Sequence, residues 1–224
     1  MIPKIISIEG NIGCGKSTLL NNLKQKMISN VIILHEPIEE WLKIKDRSGK
    51  STFENFCENP QKYSFPFQLL VLNTMRKLLE KTIEDNPDCR VIICERSLMS
   101  SRQVFAKMLN QEMILNDIEY QIYENLFADL FASIGVPDRI IFIDTLPTIC
   151  HQRIEKRRRE GESLLNLGYL ERCHKYHTEW LQTSSIPMLK INLDSDIIYN
   201  LDDVNNEGFK LIETITKYLS DFLV

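Results

Sequence analysis

The stretch Gly10–Thr18, with the sequence GNIGCGKST, has the spacing G-x-x-x-x-G-K-[ST] of a phosphate-binding loop. The β-branched run KIISIE precedes it, and the segment STLLNNLKQKM, which has helical spacing, follows it. Glycines let the backbone wrap so that its N–H groups point at phosphate oxygens, and the N-terminus of the following helix adds partial positive charge. The Lys16 ammonium can reach the β- and γ-phosphates, and the Ser17 hydroxyl can ligate Mg²⁺. The loop therefore predicts a nucleoside triphosphate site formed by Gly10, Asn11, Ile12, Gly13, Cys14, Gly15, Lys16, Ser17 and Thr18.

Outward from this loop, short β-branched runs alternate with longer segments whose apolar residues recur at three and four positions. The predicted strands are Ile5–Ile8, Val31–Leu34, Val91–Cys94, Ile140–Ile143 and Leu189–Leu193. The alternation predicts an α/β fold with a five-stranded parallel sheet flanked by helices, and the apolar strands indicate that both faces of the sheet are covered. One domain, residues 1–224, accounts for the length, because no repeat or linker interrupts the pattern.

The composition excludes several classes of protein. Of the 224 residues, 43% are hydrophobic and 26% are charged, which is ordinary for a globular protein and excludes a disordered or fibrous chain. A net charge of −4 argues against nucleic acid or an anionic membrane as a partner, since proteins that bind polyanions are usually basic. The six cysteines are scattered without a C-x-x-C pair, and no signal, transit or membrane-spanning segment is recognisable. We therefore expect a soluble cytoplasmic protein.

Two of the predicted strands end in charged residues. Glu36 follows the second strand, just before a proline that ends it, and Glu95 and Arg96 follow the third strand. In an open parallel sheet the carboxyl ends of the strands form the ligand crevice, so these side chains should face the phosphate-binding loop. There Glu36 could take a proton from an attacking hydroxyl, Glu95 could hold the hydration shell of Mg²⁺, and Arg96 could balance developing charge. Taken singly, each is also compatible with a surface carboxylate or a helix-start ion pair.

An arginine-rich segment, at about residues 153–164, is predicted to form a lid. Arg153 and Arg157 lie four residues apart, on one face of a helix, and Arg159 begins the polar stretch that follows. Arginines on a lid can close over the γ-phosphate during its transfer, which would give all three a catalytic role. A solvated helix face or a basic targeting run is the alternative interpretation of this segment.

Together with further motifs, these residues resemble the deoxyribonucleoside kinases of the deoxycytidine, deoxyguanosine and mitochondrial thymidine kinase type, and most of all the multisubstrate insect enzyme. The resemblance extends from Ile5 to about Asp196. Its motifs are Gly10–Thr18, Glu36-Pro37 with Trp41, Phe67-Gln68, Glu95-Arg96-Ser97, the lid that ends in Glu162, Tyr169-Leu170-Glu171 and His177-x-x-Trp180. The resemblance implies a P-loop kinase fold with an arginine-rich lid, ATP as phosphoryl donor, Mg²⁺ as cofactor, and transfer to the 5′-hydroxyl of a deoxyribonucleoside in nucleotide salvage. It also implies a homodimer and feedback binding of a deoxynucleoside triphosphate.

The same resemblance implies roles for the residues at matching positions. Glu36 is the base that deprotonates the 5′-hydroxyl, Arg96 lies beside it, and the Glu162 carboxylate contacts the 3′-hydroxyl of the sugar. Asp194 belongs to a loop that resembles the adenine-contacting loop of the family. The residues that act on the phosphates are Lys16, Arg153, Arg157 and Arg159.

The base pocket follows from the resemblance in the same way. Gln68 pairs its amide with the nucleobase, since an amide offers one donor and one acceptor, and Phe105 stacks on the base. The other pocket positions are Trp41, Phe67, Val71, Met75 and Ser101. Relatives that prefer deoxycytidine or purines have an Arg/Asp pair where this chain has Met75 and Ser101. The pocket therefore resembles the thymidine-accepting members, which predicts a preference for pyrimidine deoxynucleosides, with thymidine and deoxycytidine both accepted.

One position departs from the family pattern. Cys57 stands where the family has a tyrosine that shares the 3′-hydroxyl with the lid glutamate. Either Glu162 holds this hydroxyl with water, or another side chain replaces the missing phenol. The departure predicts weaker discrimination between sugars with and without a 3′-hydroxyl than the family shows.

Three other functions stay open. A thymidylate kinase has the same fold, but its anionic acceptor needs arginines and is disfavoured by the Glu36 carboxylate. A purine-preferring deoxynucleoside kinase would differ only in its base pocket. A regulatory protein that binds nucleotide without catalysis would be expected to lack Lys16, Glu36 or Arg96, and all three are present.

Overall fold

The strands form one parallel sheet in a computed structural model, which describes residues 3–26 and 30–223. The strands are β1 Lys4–Gly10, β2 Val31–Leu34, β3 Val91–Glu95, β4 Arg139–Asp144 and β5 Met188–Asn192. Their order in the sheet is β2-β3-β1-β4-β5, and all four pairings are parallel. β1 lies at the centre, with Ile8 opposite both Glu95 and Ile141, so the loop after β1 emerges between the ends of β3 and β4.

The helices connect successive strands, as expected for parallel pairing. They are α1 Lys16–Leu23, α2 Ile38–Lys43, α3 Thr52–Glu58, α4 Pro60–Asp85, α5 Leu98–Ser100, α6 Lys107–Gln111, α7 Asp117–Ile134, α8 Pro147–Arg157, α9 Leu167–Thr183, α10 Glu207–Tyr218 and α11 Ser220–Leu223. A π-helical turn, Ser101–Ala106, joins α5 to α6, and a 3₁₀ turn, Glu162–Leu164, precedes α9. Capping boxes begin α3 at Ser51 and α7 at Asn116, where the side chain of the third helical residue returns a hydrogen bond to the capping residue.

Apolar side chains cover both faces of the central strands. On one face, Ile6 of β1 belongs to a buried cluster with Leu20 of α1 and Ile212 of α10. On the other face, Ile5 belongs to a cluster with Leu79 of α4. Successive residues of β1 therefore point into opposite layers, which fixes the register of the strand and the direction in which the next loop leaves it. Over the part of the chain that the structure describes, no helix is both long enough and apolar enough to cross a membrane.

The predicted α/β fold with five parallel strands is confirmed, and each predicted strand matches an observed one to within two residues at either end. The edge strand β5 is less covered than the central strands. Leu189 and Ile191 are covered, whereas Met188 and Lys190 are exposed, because one face of this edge strand is open to solvent. The helix after the phosphate-binding loop ends at Leu23, earlier than the quoted segment, whose last residue, Met27, lies outside the described residues.

Candidate active site

A cavity of about 390 Å³ opens at the carboxyl ends of the strands and brings together most of the predicted site residues. Those that line it are Ile12, Gly13, Cys14, Gly15, Lys16, Ser17, Thr18, Glu36, Trp41, Phe67, Gln68, Val71, Glu95, Arg96, Ser101, Phe105, Arg153, Arg157, Arg159 and Glu162. The predicted residues that do not line it are Gly10, Asn11, Met75 and Asp194. Phosphate-binding and apolar walls thus belong to the same cavity.

The phosphate-binding loop is shaped from behind by two residues that do not line the cavity. Gly10 has a φ angle of 144°, and a Cβ at this position would lie 2.5 Å from the carbonyl oxygen of Ile143, so only glycine fits. The Asn11 side chain donates to the carbonyl of Leu170 at 2.9 Å and thereby fixes the loop to α9. Both predicted residues therefore act on the loop's shape.

The Lys16 ammonium lies inside the loop. Its Nζ donates to the carbonyl of Asn11 at 2.8 Å and to that of Gly10 at 3.2 Å, and only 4% of the residue is exposed. Because Lys16 is also the first residue of α1, its charge is added to the positive end of the helix dipole. The arrangement is suited to binding phosphate oxygens.

Ser17 and Glu95 provide oxygen ligands at the mouth of the loop. The Ser17 hydroxyl donates to Glu95 Oε1 at 2.7 Å, and His35 Nδ1 lies 3.1 Å from Glu95 Oε2. Burial alone would raise the pKa of Glu95, but the contact with His35, the charge of Lys16 and the Ser17 hydrogen bond outweigh it and lower the pKa to about 2. A hydroxyl and an ionised carboxylate fit Mg²⁺, which is held by few protein ligands beside substrate phosphates and water. The described residues contain no group of three or more His, Cys, Asp or Glu that could hold a metal by themselves.

Glu36 and Arg96 form a nearly buried ion pair beside the loop. Arg96 Nη1 donates to Glu36 Oε1 at 2.7 Å, and the exposed fractions of the two side chains are 5% for Arg96 and 11% for Glu36. Arg96 Nη2 donates to the carbonyl of Gly10 at 3.0 Å, and the guanidinium lies 5.2 Å from the centre of the Phe105 ring. Burial would lower the pKa of Arg96, but the charge of Glu36 outweighs it and raises this pKa above its ordinary value. The contact uses one carboxylate oxygen of Glu36 and leaves the other for a ligand.

A buried carboxylate that the sequence analysis did not single out supports this pair. Glu9 Oε1 accepts hydrogen bonds from the backbone N–H of Ser97 at 3.0 Å and from its hydroxyl at 2.6 Å. Burial raises the pKa of Glu9, although the Ser97 hydrogen bond opposes the shift. Glu9 thereby anchors the residue that follows Arg96. A charged residue inside an apolar strand is the sequence signal that could have identified it.

The segment predicted to form a lid contains a buried glutamate. Glu162, of which 3% is exposed, accepts from Arg157 Nη2 at 2.7 Å and from Arg159 Nη1 at 3.1 Å. Arg158, between these arginines, has a φ angle of 53° and ends α8 in the left-handed conformation that is typical of helix C-termini. The change of direction at Arg158 brings arginines from both sides of it onto one carboxylate.

Arg153 has a different environment from the other lid arginines. Its guanidinium donates to the carbonyl of Cys14 at 3.2 Å, to that of Ser195 at 2.8 Å and to Asp196 Oδ1 at 3.0 Å. The predicted Asp194 accepts from the backbone N–H of Leu146 at 2.8 Å, outside the cavity, whereas Asp196, two residues later, lines it. The loop after β5 therefore reaches the cavity through Ser195 and Asp196.

The apolar end of the cavity holds one unpaired polar group. Gln68, of which 3% is exposed, has no hydrogen-bond partner at Oε1 among the described residues. Phe105 and Ser101 reach the cavity from the π-helical turn, a local irregularity that is frequent at functional sites. The Ser101 hydroxyl lies 3.8 Å from the sulfur of Met75, which places Met75 behind the wall. A ligand that offers a donor would satisfy Gln68.

Several cavity residues were given no role by the sequence analysis. They are Ile38, Phe53, Phe56, Leu165, Tyr169, Leu193, Ser195, Asp196, Ile197 and Tyr199. Phe56 stacks on Phe67 with ring centres 4.7 Å apart, so α3 supplies a second aromatic layer behind the base-side wall. The spacing of Phe53 and Phe56, three residues apart in a short capped helix, is a signal that could have found this layer.

Comparison with known proteins shows similarity to one family of kinases. The family profile described as "Deoxynucleoside kinase" matches residues 6–220. The chain is 31% identical to a probable deoxycytidine kinase of fowlpox virus, over 99% of this chain and 90% of the relative. It is 30% identical to the deoxycytidine kinase of Homo sapiens, over 98% of this chain and 91% of the relative. It is 29% identical to the mitochondrial deoxyguanosine kinase of Xenopus laevis, over 92% of this chain and 88% of the relative.

Proposed function

Since the chain belongs to the deoxynucleoside kinase family and is a kinase, we propose that it phosphorylates the 5′-hydroxyl of pyrimidine deoxyribonucleosides, thymidine and deoxycytidine, for nucleotide salvage. The observation that carries this proposal is the continuity of the cavity. At one end lies the phosphate-binding loop with Lys16, and at the other lies the unpaired Gln68 carbonyl oxygen. The Glu36 carboxylate lines the same cavity, so the base, the reacting hydroxyl and the triphosphate each have a binding group.

The geometry supports an in-line transfer. The free oxygen of Glu36 takes the proton of the 5′-hydroxyl as the new bond to the γ-phosphorus forms and the bond to the β–γ bridging oxygen breaks. Arg96 holds Glu36 by its hydrogen bond and, with Lys16, supplies positive charge where negative charge develops. Arg157 and Arg159 can reach the transferring phosphoryl group from the lid, either by releasing Glu162 or while they keep their contacts with it.

Ser17 and Glu95 are the residues that would hold Mg²⁺. When bound, the ion would neutralise part of the phosphate charge. A deoxynucleoside triphosphate joins a base and a triphosphate in one molecule, so the continuity of the cavity also supports feedback binding of such an end product.

The base-side wall supports the preference for pyrimidines. Gln68 offers an acceptor and a donor side by side, which matches the edge of thymine or cytosine. Ser101 and Val71 line this end without a charged partner for a purine, and the aromatic pair Phe56 and Phe67 limits its depth. A small apolar pocket discriminates between pyrimidines and purines by the size of the base.

Location and assembly are further parts of the proposal. All six cysteines are free thiols in the described structure, which supports a reducing cytoplasmic location. An exposed apolar stripe on α7, formed by Ile118, Ile122 and Leu126, supports a homodimer.

The decisive experiment is an ADP-release assay with ATP and a panel of acceptors: thymidine, deoxycytidine, deoxyguanosine, deoxyadenosine and thymidine monophosphate. We expect thymidine and deoxycytidine to have the highest kcat/KM. A dominant activity on either purine nucleoside would contradict the pyrimidine preference. A dominant activity on thymidine monophosphate would instead indicate a nucleoside monophosphate kinase.

A further inference from the structure

His35 lies just after β2, beside the last residue of β3. The two strands are paired in parallel, and His35 and Glu95 follow the last residues that the ladder pairs, so they lie side by side. One position further along each strand, Glu36 contacts Arg96. Two successive side-chain pairs thus join the ends of β2 and β3, and one of them contains the proposed proton acceptor. Neither the sequence motifs nor the proposed function gives His35 a role.

The contact with His35 uses the Glu95 oxygen that Ser17 leaves free. His35 Nδ1 lies 3.1 Å from Glu95 Oε2, and the Ser17 hydroxyl donates to Oε1 at 2.7 Å. Although burial opposes the shift, the hydrogen bond from His35, followed by the charge of Lys16, lowers the pKa of Glu95 to about 2. The carboxylate is therefore ionised at neutral pH and can only accept hydrogen bonds. The hydrogen of this contact consequently belongs to Nδ1 of the imidazole.

His35 does not line the cavity that would hold the triphosphate. It lines a separate cavity of about 40 Å³ at the ends of β2 and β3, whereas Glu95 lines both cavities. The exposed fraction of the side chain is 40% for His35 and 6% for Glu95. An effect of His35 on a bound nucleotide must therefore act through Glu95.

Without His35, the Glu95 carboxylate would be held at one oxygen instead of two. The charges of Lys16 and Arg96 also act on Glu95, but Lys16 donates to carbonyls of the phosphate-binding loop and Arg96 donates to Glu36. A carboxylate that turned toward Lys16 would compete with phosphate for this ammonium. Hydrogen bonds to both oxygens fix the plane of the carboxylate, as outer contacts generally do for carboxylates that bind metal ions.

We propose that His35 is a positioning residue, which holds Glu95 through its Nδ1–H so that this carboxylate and the Ser17 hydroxyl are aligned for Mg²⁺ bound with ATP. The inference rests on the proposed function, because it concerns the ion that Ser17 and Glu95 would hold. The Ser17 hydroxyl donates its hydrogen to Glu95, which leaves its oxygen lone pairs for the ion. His35 thus increases the affinity for ATP in the presence of Mg²⁺ and does not change the affinity for metal-free ATP.

The experiment measures the Kd of ATP by titration calorimetry, once with Mg²⁺ and once with EDTA, in the absence of nucleoside. The readout is the gain in affinity that Mg²⁺ provides. His35→Phe keeps a planar ring without the Nδ1 donor, and we expect this gain to fall by about 10-fold, as for the loss of an outer contact of a metal ligand. His35→Asn places an N–H donor at the position of Nδ1 along the side chain and should keep the gain within about threefold of the wild type.

The matched control is His174→Phe. His174 also lies beside a carboxylate, with Nε2 3.7 Å from Asp144 Oδ1, but it does not line the cavity. Its replacement should leave the gain from Mg²⁺ unchanged. An unchanged gain in His35→Phe, or a loss that His35→Asn fails to restore, would overturn the inference.

The comparison with EDTA separates positioning from a general structural effect. A disturbed fold would weaken ATP binding equally with Mg²⁺ and with EDTA, and that result would also overturn the role of His35. A wild type whose affinity for ATP does not depend on Mg²⁺ would contradict the proposed metal site itself. Because no nucleoside is present, the outcome is independent of the ADP-release assay and of the preference for pyrimidines.

Discussion

Arg96 has a left-handed backbone, with a φ angle of 64°, at the point where β3 ends. This conformation is uncommon for a residue with a side chain and persists where the surroundings enforce it. Here the backbone N–H of Arg96 bonds to the carbonyl of Ile8, and Glu9 holds the next residue, Ser97, through two hydrogen bonds. The enforced turn directs the guanidinium toward Glu36 and Gly10. A buried carboxylate in β1 thereby determines where a charge in the active site lies.

Replacement of Glu36 by glutamine tests the proton acceptor directly. Glutamine keeps the size of the side chain and an oxygen that can accept from Arg96, but it cannot take a proton at neutral pH. We expect Glu36→Gln to lower kcat by about 10²- to 10⁴-fold, the usual contribution of general base catalysis. Binding of ATP, measured by titration calorimetry, should change by less than about threefold, since the nucleotide is held by the loop around Lys16.

The matched control is Glu39→Gln, which removes an exposed carboxylate three residues later in α2. This variant should retain the wild-type kcat. If Glu36→Gln keeps more than about a tenth of the wild-type kcat, Glu36 is not the base. A large fall in its thermal unfolding temperature would show that the loss of activity comes from the unpaired Arg96 charge, so the melting curve accompanies the assay.

Arg153 joins three parts of the fold that are distant in sequence. It belongs to α8, and its guanidinium contacts the phosphate-binding loop at Cys14 and the loop after β5 at Ser195 and Asp196. A guanidinium can serve three acceptors at once because its N–H groups form a rigid planar fork. The position of the loop around the triphosphate is thus coupled to the position of the lid helix.

Replacement of Arg153 by lysine tests this coupling. Lysine keeps the charge but, as a compact ammonium, cannot reach all three acceptors in the fork geometry. We expect Arg153→Lys to raise the KM for ATP by about 10-fold, equivalent to about 1.4 kcal/mol, with a smaller change in the KM for the nucleoside. The control is Lys156→Ala, on the same helix, which removes an exposed partner of Asp196 at 3.5 Å. An unchanged KM for ATP in Arg153→Lys would show that the arginine does not position the loop.

The regular elements were predictable from the sequence because their signals are local. The β-branched runs predicted all five strands, and apolar residues that recur at three and four positions indicated helices between them. The π-helical turn that carries Ser101 and Phe105 was not predictable, since it depends on how the segment packs against α4 and α9. A purely local pattern also could not reveal that β5 has one open face.

The motif residues could be predicted one by one, and the irregular segments could not. Glu36, Glu95 and Arg96 follow strands whose ends necessarily meet at the phosphate-binding loop, so topology alone brings them together. In the loop after β5, by contrast, Asp194 and Asp196 are two residues apart without a regular period, and the sequence does not indicate which one faces the cavity.

The distribution of charge over the whole protein agrees with an uncharged acceptor. The net charge is −4, yet the described residues that line the cavity include five cationic side chains. These are Lys16, Arg96, Arg153, Arg157 and Arg159. Four of the five contact a carboxylate directly, as in the pairs Arg96–Glu36 and Arg157–Glu162. Positive charge is therefore concentrated near the phosphate-binding loop, and carboxylates balance it in the rest of the cavity. A neutral nucleoside in the cavity would experience little net electrostatic field.

The outer surface of α7 carries an apolar stripe that the fold of one chain does not cover. Ile118, Ile122 and Leu126 follow one another at intervals of four residues, and their exposed fractions are 71%, 43% and 40%. Residues at this spacing share one face of a helix. The opposite face of α7 is buried, with Tyr123 and Phe127 in the cluster against α4. Large apolar side chains aligned on an exposed face are typical of an interface, and a two-fold axis would set the stripe against its own copy.

The proposed homodimer can be tested through this stripe. We expect the wild type to have about twice the monomer mass of 26.2 kDa by light scattering at micromolar concentration. Because a two-fold interface repeats every substitution, Ile122→Glu buries two unpaired charges and should raise the dimer dissociation constant by at least about 100-fold, while circular dichroism keeps its helical signal. The control is Ile198→Glu, at a residue that is 79% exposed and outside α7, which should stay dimeric. A monomeric wild type, or a dimer that survives Ile122→Glu, would show that two copies do not associate through α7, because a buried glutamate on each side costs more than the stripe could contribute.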